Sequence, residues 1–294
     1  MSDVSCAADA SERPLRLSVR KDLLALLSRH GVQPRKRLGQ NFLTDGRVLE
    51  RIVRTAELSP SDQVLEIGAG AGTVTRELAR VSPRVLAVEI DGRLRPVLDE
   101  TLGDLPNVQV VIADVLALDL PALLSDGQWK VVANLPYYVT TPILTRLIEL
   151  IEHFPLIVVM VQREVADRLT ASPGGKDYGS LSVFTQWHCE VAPILHLSPH
   201  CFFPEPEVAS TLVTLCRRQS PPVSVQDQAH LFRVVRAAFG QRRKTLLNAL
   251  VGSPDLGVSK EQALAALRAA GIDPGRRGES LSLTEFAALS NTFP

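Results

Sequence analysis

The sequence lacks a long apolar run, which argues against a membrane-spanning helix. Its longest uninterrupted apolar stretch, LIVVMV at 156–161, has six residues, whereas a helix needs about 20 to cross a bilayer. The first twelve residues carry three acids and no base, which is the opposite of the basic start of a secretory signal. We therefore expect a cytoplasmic protein that contacts no membrane.

Cysteine and metal-ligand patterns are sparse. The sequence has four cysteines: Cys6, Cys189, Cys201 and Cys216. They show no CxxC spacing, which argues against a zinc ribbon or a disulfide framework. His196, His200 and Cys201 lie close together, but this stretch offers no fourth ligand. We expect reduced thiols and no metal.

The chain has no excess charge of either sign, yet its charges are unevenly distributed. The formal net charge is +0 over 294 residues, of which 45% are apolar. Residues 13–43 carry eight Lys or Arg and one acid, residues 44–190 have a net charge of −7, and residues 191–294 have +3. Two basic ends therefore flank an acidic middle, so that any nucleic-acid contact must depend on local patches.

Short apolar stretches alternate with helix-length segments through the first two thirds of the chain. The predicted strands are 64–67, 85–90, 108–113, 131–133, 156–161, 191–197 and 210–215. Such continuous, β-branched stretches are typical of parallel strands buried on both faces. The predicted class is α/β, with a doubly wound, Rossmann-like sheet of seven mostly parallel strands and an antiparallel pair at one edge.

Two prolines in QSPPV at 219–223 interrupt this alternation, since proline continues neither a helix nor a central strand. The helical stretches predicted beyond this point are 226–239, 244–250, 260–270 and 283–289. We therefore expect a flexible segment at 1–17, a large α/β domain at 18–219 and a small all-α domain at 220–294.

A glycine-rich turn follows the first predicted strand. In LEIGAGAGTVT, Gly68, Gly70 and Gly72 are spaced GxGxG, and Thr73 stands where a dinucleotide-binding fingerprint has its third glycine. Glycines in this position let backbone N–H groups approach a ligand at the start of a helix. The spacing disfavours NAD, although a tight turn without a ligand remains open.

Three acids lie at or near the ends of the predicted strands. Glu66 is near the end of the first, Glu89 is near the end of the second, and Asp114 follows the third. Carboxyl ends of parallel strands share one edge of a sheet, where Glu89 can accept ribose hydroxyls and Asp114 can accept an amine proton. Each acid alone also fits a solvated cap, but the set looks like an S-adenosylmethionine site.

The most specific stretch is Asn134-Leu135-Pro136-Tyr137, after the fourth predicted strand. An adenine amine is a poor nucleophile because its lone pair is delocalised into the ring. The Asn134 side-chain oxygen and the Leu135 carbonyl can accept its hydrogens and direct the lone pair, while Tyr137 offers a stacking face. The alternative is a simple strand-end turn with an Asn cap.

Together these stretches resemble the ribosomal RNA adenine dimethyltransferase family, over nearly the whole chain. Its members dimethylate two adjacent adenosines near the 3′ end of small-subunit ribosomal RNA. Further matching stretches are LGQNFLTD at 38–45, VEID at 88–91, YGSLSV at 178–183, FFPEPEV at 202–208 and AFGQRRKTLLNAL at 238–250. The resemblance implies a Rossmann-like class I methyltransferase that acts during assembly of the small ribosomal subunit, as a monomer, with S-adenosylmethionine as cofactor.

The resemblance also implies site residues. The expected cofactor-binding residues include the three strand-end acids and two glycines of the turn. They are Asn41, Leu43, Glu66, Gly68, Gly70, Glu89, Asp114 and Asn134. The expected residues around the reacting adenine are Asn134, Leu135, Pro136, Tyr137 and Phe202, with the base between Tyr137 and Phe202. The expected RNA phosphate contacts are Arg35, Lys36, Arg37, Arg242, Arg243 and Lys244.

The chain departs from the family pattern at Ala69, where proline is usual, and at Glu207 and Ala209, where Lys and Asp are frequent. The acid at 207 weakens the case for RNA contact there. The alternatives are a large-subunit adenine methyltransferase of the antibiotic-resistance type, a non-catalytic RNA-binding factor and a small-molecule methyltransferase. Leu135 and the basic residues 242–244 favour small-subunit RNA over the first.

Overall fold

A computed structural model describes residues 16–124 and 127–293. The predicted segment 1–17 lies outside these residues except for Arg16 and Leu17, and Leu17 packs in a buried cluster with Leu23 of the first helix. Within the described residues there are nine strands and twelve α-helices.

The strands are β1 (Phe42–Leu43), β2 (Gln63–Ile67), β3 (Arg84–Glu89), β4 (Val108–Ile112), β5 (Trp129–Asn134), β6 (Leu156–Gln162), β7 (Cys189–Leu197), β8 (Phe202–Phe203) and β9 (Ser210–Arg217). Seven of them form one sheet in the order β4-β3-β2-β5-β6-β9-β7. All neighbours pair in parallel except β9, which is antiparallel to both β6 and β7. The predicted α/β class with a seven-stranded, mostly parallel sheet is confirmed.

The helices are α1 (Arg20–Arg29), α2 (Gly46–Thr55), α3 (Thr73–Ala79), α4 (Arg95–Leu102), α5 (Leu120–Leu123), α6 (Thr140–Glu149), α7 (Arg163–Thr170), α8 (Ser180–His188), α9 (Gln228–Gly240), α10 (Leu246–Val251), α11 (Lys260–Ala269) and α12 (Leu283–Thr292). Helices α5 to α7 cover one face of the sheet, where Ile143 and Leu147 share a core with Ile67 and Val131. Helices α1 to α4 cover the other face. This two-sided burial explains why the strand sequences are continuously apolar.

A second, two-stranded sheet was not predicted from the sequence. Strands β1 and β8 pair antiparallel, with Phe42 opposite Phe203 and Leu43 opposite Phe202. Two-residue strands carry no periodicity that a sequence pattern could reveal. The pairing fastens the segment before α2 to the loop before β9.

The C-terminal helices α9 to α12 form their own buried cluster, which extends into the α/β part. Tyr178, together with Val183 and Trp187 of α8, packs in the same cluster as Phe232 and Phe286 of the tail. Helix α8 therefore joins the core of the tail to the sheet. No helix within residues 16–124 and 127–293 is long and apolar enough to span a membrane.

Candidate functional site

A deep crevice lies at the carboxyl ends of β2, β3 and β5. Eight of the residues predicted from the sequence line it: Asn41, Leu43, Gly68, Gly70, Glu89, Asp114, Asn134 and Pro136. They come from five separate stretches of chain, which the fold brings to one edge of the sheet.

The glycine turn between β2 and α3 forms the base of the crevice. Gly68, Gly70 and Gly72 have φ angles of +83°, +60° and +84°, a region that side chains other than glycine rarely adopt. A Cβ at Gly68 would lie 3.0 Å from the backbone oxygen of Asn134, and one at Gly72 would lie 2.8 Å from Thr101 Oγ1. The turn therefore requires glycine for both conformation and space.

Glu89 at the end of β3 is held rigidly beneath this turn. Its Oε2 accepts a hydrogen bond from the Gly70 N–H at 2.8 Å, and its Oε1 accepts one from the Asp91 N–H at 2.9 Å. The side chain is buried, and this burial raises its pKa although the backbone hydrogen bonds act in the opposite direction. Each carboxylate oxygen keeps a further lone pair for a ligand hydroxyl.

Beside Glu89, the crevice is lined by one polar and one apolar side chain, Asp114 and Ile90. Asp114 follows β4, and its Oδ1 accepts a hydrogen bond from the Leu116 N–H at 2.9 Å. Ile90 also lines the crevice and is 42% exposed. The sequence pattern did not single out Ile90. Glu89, Ile90 and Asp114 line the same crevice. The exposed Ile90 side chain can therefore pack against the face of a flat ligand ring whose polar groups bind the acids.

Glu66 lies elsewhere than expected. Along β2, Ile67 lines the crevice while Glu66 points to the opposite face and is 3% exposed. Its Oε2 has no hydrogen-bond partner within the described part of the chain, and burial raises its pKa to about 8. The prediction of a direct cofactor contact by Glu66 is therefore not supported, because neighbouring side chains on a strand face opposite sides.

Asn134 is oriented by the segment before β1. Its Nδ2 donates to the Asn41 backbone oxygen at 3.0 Å, so that the side-chain Oδ1 is the free acceptor. The Leu135 N–H donates to the Met160 oxygen at 3.2 Å, and no described residue donates to the Leu135 carbonyl. The Asn134 Oδ1 is therefore available at the crevice, which Asn134 lines, while the predicted contact of the Leu135 carbonyl with the target amine stays a prediction.

The aromatic residues differ from expectation. Phe202 is 1% exposed and belongs to a core cluster with Leu212, so its ring is covered in this arrangement, and its predicted stacking on the base stays a prediction. Tyr137 is partly buried and its hydroxyl shares a hydrogen bond with Ser210 Oγ at 2.7 Å. Tyr138, which the sequence did not single out, lines the crevice and is 57% exposed.

The first basic cluster, Arg35 to Arg37, lies next to the crevice. Leu38 to Asn41 line the crevice directly after it. Gln40 fixes this turn, because its Oε1 accepts from the Arg35 N–H at 2.8 Å and its Nε2 donates to Asp91 Oδ2 at 2.9 Å. Sequence reasoning missed Gln40 and Asp91, since only the fold brings them together.

The second basic cluster, Arg242 to Lys244, contains one residue bonded to the rest of the chain and two whose side chains are free within the described residues. Arg242 Nη2 donates to the Lys176 oxygen at 2.9 Å and to the Tyr178 oxygen at 3.1 Å, which fastens the tail to the loop before α8. Arg243 and Lys244 are exposed, and their side chains have no hydrogen-bond or ion-pair partner in the ranges that the structure describes. Arg242 therefore has a structural role in addition to any phosphate contact.

Metal chemistry has no visible support among the residues described. No group of three or more His, Cys, Asp or Glu side chains has the arrangement of a metal site there. His196 Nδ1 instead shares a hydrogen bond with Thr211 Oγ1 at 3.1 Å, and His200 Nδ1 lies 2.8 Å from Glu205 Oε2.

A seven-stranded sheet of this topology, with a glycine turn and a buried acid at the next strand end, defines a Rossmann-like methyltransferase. A family model described as ribosomal RNA adenine dimethylase matches residues 31–293. The chain belongs to this family and is an enzyme of the ribosomal RNA adenine dimethyltransferase type.

Curated relatives and solved structures agree with this family. The chain is similar to ribosomal RNA small subunit methyltransferase A of Moorella thermoacetica, with 49% identity over 279 residues that cover 92% of this chain and 96% of the relative. The counterpart in Geobacillus kaustophilus is 48% identical and covers 91% and 94%.

Among solved structures, a dimethyladenosine transferase from Plasmodium falciparum superposes with a TM-score of 0.71 at 25% identity, covering 84% of this chain and 95% of that one. The 23S rRNA methyltransferase ErmE gives a TM-score of 0.67 at 29% identity, covering 86% and 99%.

Proposed function

We propose that this chain transfers methyl groups from S-adenosylmethionine to the N6 amines of two adjacent adenosines near the 3′ end of small-subunit ribosomal RNA. The observation that carries the proposal is the orientation of Asn134. Its amide is fixed by Asn41 so that Oδ1 is free at the mouth of a glycine-turn crevice.

The crevice residues fit S-adenosylmethionine. The Glu89 carboxylate has lone pairs for ribose hydroxyls, Asp114 can accept from the adenine amine, and Ile90 offers an apolar surface for the ring. Gly68 and Gly70 line the same crevice, where the absence of side chains lets a ligand approach the backbone closely. The cofactor supplies an electrophilic methyl group on a sulfonium.

Asn134 and Leu135 direct the target amine. Accepting its two hydrogens at the Asn134 Oδ1 and the Leu135 carbonyl turns the nitrogen lone pair out of conjugation and toward the methyl group. Positioning of this kind supplies roughly 7 to 11 kcal/mol in favourable cases. No general base is required, because the amine proton becomes acidic once the nitrogen has gained the methyl group.

Two tyrosines can hold the unstacked base. Tyr137 remains our proposal for one face, since its hydroxyl is fixed by Ser210, and Tyr138 exposes a ring at the mouth of the crevice. Stacking on an aromatic ring contributes roughly 1 to 3 kcal/mol per base, comparable with the few kcal/mol needed to unstack an adenine.

The macromolecular partner is inferred from charge and relatives. The exposed residues Lys36, Arg37, Arg243 and Lys244 can bind phosphates, and relatives with 48–49% identity are named for the small ribosomal subunit. We propose the small subunit and its RNA as substrate, bound in the cytoplasm by a monomer that uses no metal.

Large-subunit RNA is the second candidate, because ErmE shares the fold at 29% identity. The exposed basic residues of the tail and the higher identity to small-subunit enzymes favour the first.

The test is transfer of a radiolabelled methyl group to undermethylated small subunits, large subunits and naked RNA in parallel, followed by nucleoside analysis. We expect N6,N6-dimethyladenosine from small subunits alone. Label confined to large subunits would support the second candidate, and binding of cofactor and RNA without transfer would contradict both.

A further inference from the structure

Helix α2 presents an unusual row of basic side chains. Arg47, Arg51 and Arg54 are all exposed, and their i, i+4, i+7 spacing puts them on one side of the helix. At 1.5 Å per residue, Arg47 and Arg54 are about 10 Å apart along the helix axis. We call these three residues the α2 arginine row.

The row differs from the arginines of neighbouring helices. On α4, Arg95 Nε lies 2.7 Å from Asp99 Oδ1, and on α3 Arg76 pairs with Asp104 at 2.8 Å. The guanidinium groups of the α2 arginine row make no hydrogen bond or ion pair with any residue that the structure describes. Glu50 lies on the same helix but forms no ion pair with them.

The last two arginines of the α2 arginine row, Arg51 and Arg54, line a groove. A cavity of about 490 Å³ lies between the last turn of α2 and strands β6, β7 and β9. Arg51 and Arg54 give the groove positive charge that is unpaired within the described residues, whereas Lys130 in its lining is paired with Asp62 at 3.1 Å. Glu57 is the single acid among the lining residues. Its apolar lining is Pro155, Leu156 and Ile194.

The groove is separate from the methyl-transfer crevice. Lys130 near the start of β5 lines the groove, whereas Asn134 at the end of the same strand lines the crevice. Helix α2 links the two, because it starts three residues after Leu43, which lines the crevice, and Asp45 caps this end by accepting from the Arg47 N–H at 2.9 Å.

We propose that the α2 arginine row and the adjoining groove bind backbone phosphates of the substrate RNA at nucleotides away from the methylated pair. This inference rests on the proposed function, since it takes the substrate to be RNA. A guanidinium group presents five donors in a fork that matches phosphate oxygens. Unpaired arginines need not break an ion pair before they bind a polyanion, and the apolar groove lining accommodates a sugar or base.

The test compares two double variants of the full chain with equal loss of charge. In the test variant, Arg51→Gln is combined with Arg54→Gln. In the control, Arg80→Gln is combined with Arg95→Gln, whose arginines are similarly exposed but already paired with carboxylates. The affinity for undermethylated small subunits is measured over a range of salt concentrations, together with kcat and KM for methyl transfer.

We expect the test variant to lose about 0.7 to 0.9 in the slope of log affinity against log salt for each phosphate contact removed. Its KM for subunits should rise about tenfold at low salt, with kcat and the calorimetric affinity for S-adenosylmethionine unchanged. The control should keep the wild-type slope and KM. An unchanged slope and KM in the test variant would overturn the inference.

Two further outcomes are distinguishable. If wild-type protein transfers no methyl group, the proposed function fails, while the salt slope still tests the arginine row. Inorganic phosphate and AMP serve as free-phosphate probes in calorimetric titrations. If they bind wild-type protein but not the test variant, while both proteins bind subunits with the same slope, the groove takes a free phosphate compound and the RNA assignment is overturned.

Discussion

Carboxyl groups near the crevice edge of the sheet have raised pKa values, whereas one in the helical tail has a lowered pKa. Glu66 and Glu89 are buried, and burial raises the pKa of both, that of Glu66 to about 8. In the tail, Glu285 pairs with Arg276 and accepts from the Ser282 N–H at 2.7 Å, and the arginine lowers its pKa to about 2. Of the two buried acids, Glu89 lines the crevice, and an acid buried at a cost to stability in a crevice indicates a functional site. The paired Glu285 instead stabilises the start of α12.

The largest effect expected at the crevice is on the target amine. Asn134→Ala removes the acceptor that directs the amine, so we expect methyl transfer to fall roughly 10²- to 10³-fold, the range seen when one preorganised polar group is lost from a reacting centre. Calorimetry should show cofactor affinity close to that of the wild type, apart from the contact made by Asn134 itself. Wild-type turnover in this variant would contradict the mechanism.

Glu89→Ala should weaken S-adenosylmethionine binding about 10- to 100-fold, because hydrogen bonds to a charged group contribute roughly 1.5 to 3 kcal/mol. Isothermal calorimetry measures the change. Asp99→Ala, which removes an exposed acid paired with Arg95 on α4, is the control and should bind the cofactor as the wild type does. Equal affinities of the two variants would remove Glu89 from the site.

Glu66→Gln should stabilise the protein at higher pH. The folded pKa of about 8 lies above the ordinary value of 4.5, so the native state holds the extra proton, and wild-type stability falls as pH rises between these values. Urea unfolding at several pH values should show a flatter dependence in Glu66→Gln than in the exposed control Glu149→Gln. Parallel curves for both variants would contradict the burial argument.

The smallest effect is expected in the tail. Glu285→Gln should destabilise the chain by up to about 1 kcal/mol at neutral pH, since the ion pair is partly exposed. The folded pKa of about 2 is below 4.5, so the stabilisation is present above pH 4.5 and is lost as pH falls toward 2. A double-mutant cycle with Arg276→Gln isolates the pair, and a coupling energy of zero would contradict its role.

The sequence was most informative where one strong pattern determines the structure. Continuous apolar stretches located the seven strands of the main sheet, and glycine spacing located the turn at Gly68. Helix α8 escaped prediction because Val183 and Trp187 pack into the tail while Phe184 also contacts the sheet core. A helix buried on several sides has no single apolar face to reveal its period.

The motifs identified which stretches of chain form the site, but not which way each side chain points. Phe202 is the first residue of the FFPEPEV motif, but the pairing of β8 with β1 puts its ring in the core. Glu66 carries the strand-end pattern of a cofactor contact, but neighbouring Ile67 is the residue that lines the crevice, so the contact predicted for Glu66 stays a prediction. The contact between Gln40 and Asp91 joins residues 51 positions apart, which no local pattern contains.

The central claim is that Glu89 is kept buried because its ionised carboxylate binds the ribose of the cofactor. The most direct test is the affinity for S-adenosylmethionine between about pH 7 and pH 5, compared in wild type and Glu89→Gln. We predict that wild-type affinity falls as pH decreases, since burial raises the pKa of Glu89 above its ordinary value and protonation removes the ionised acceptor, while Glu89→Gln binds more weakly and without this dependence. Equal affinities with the same pH dependence in both proteins would contradict the account.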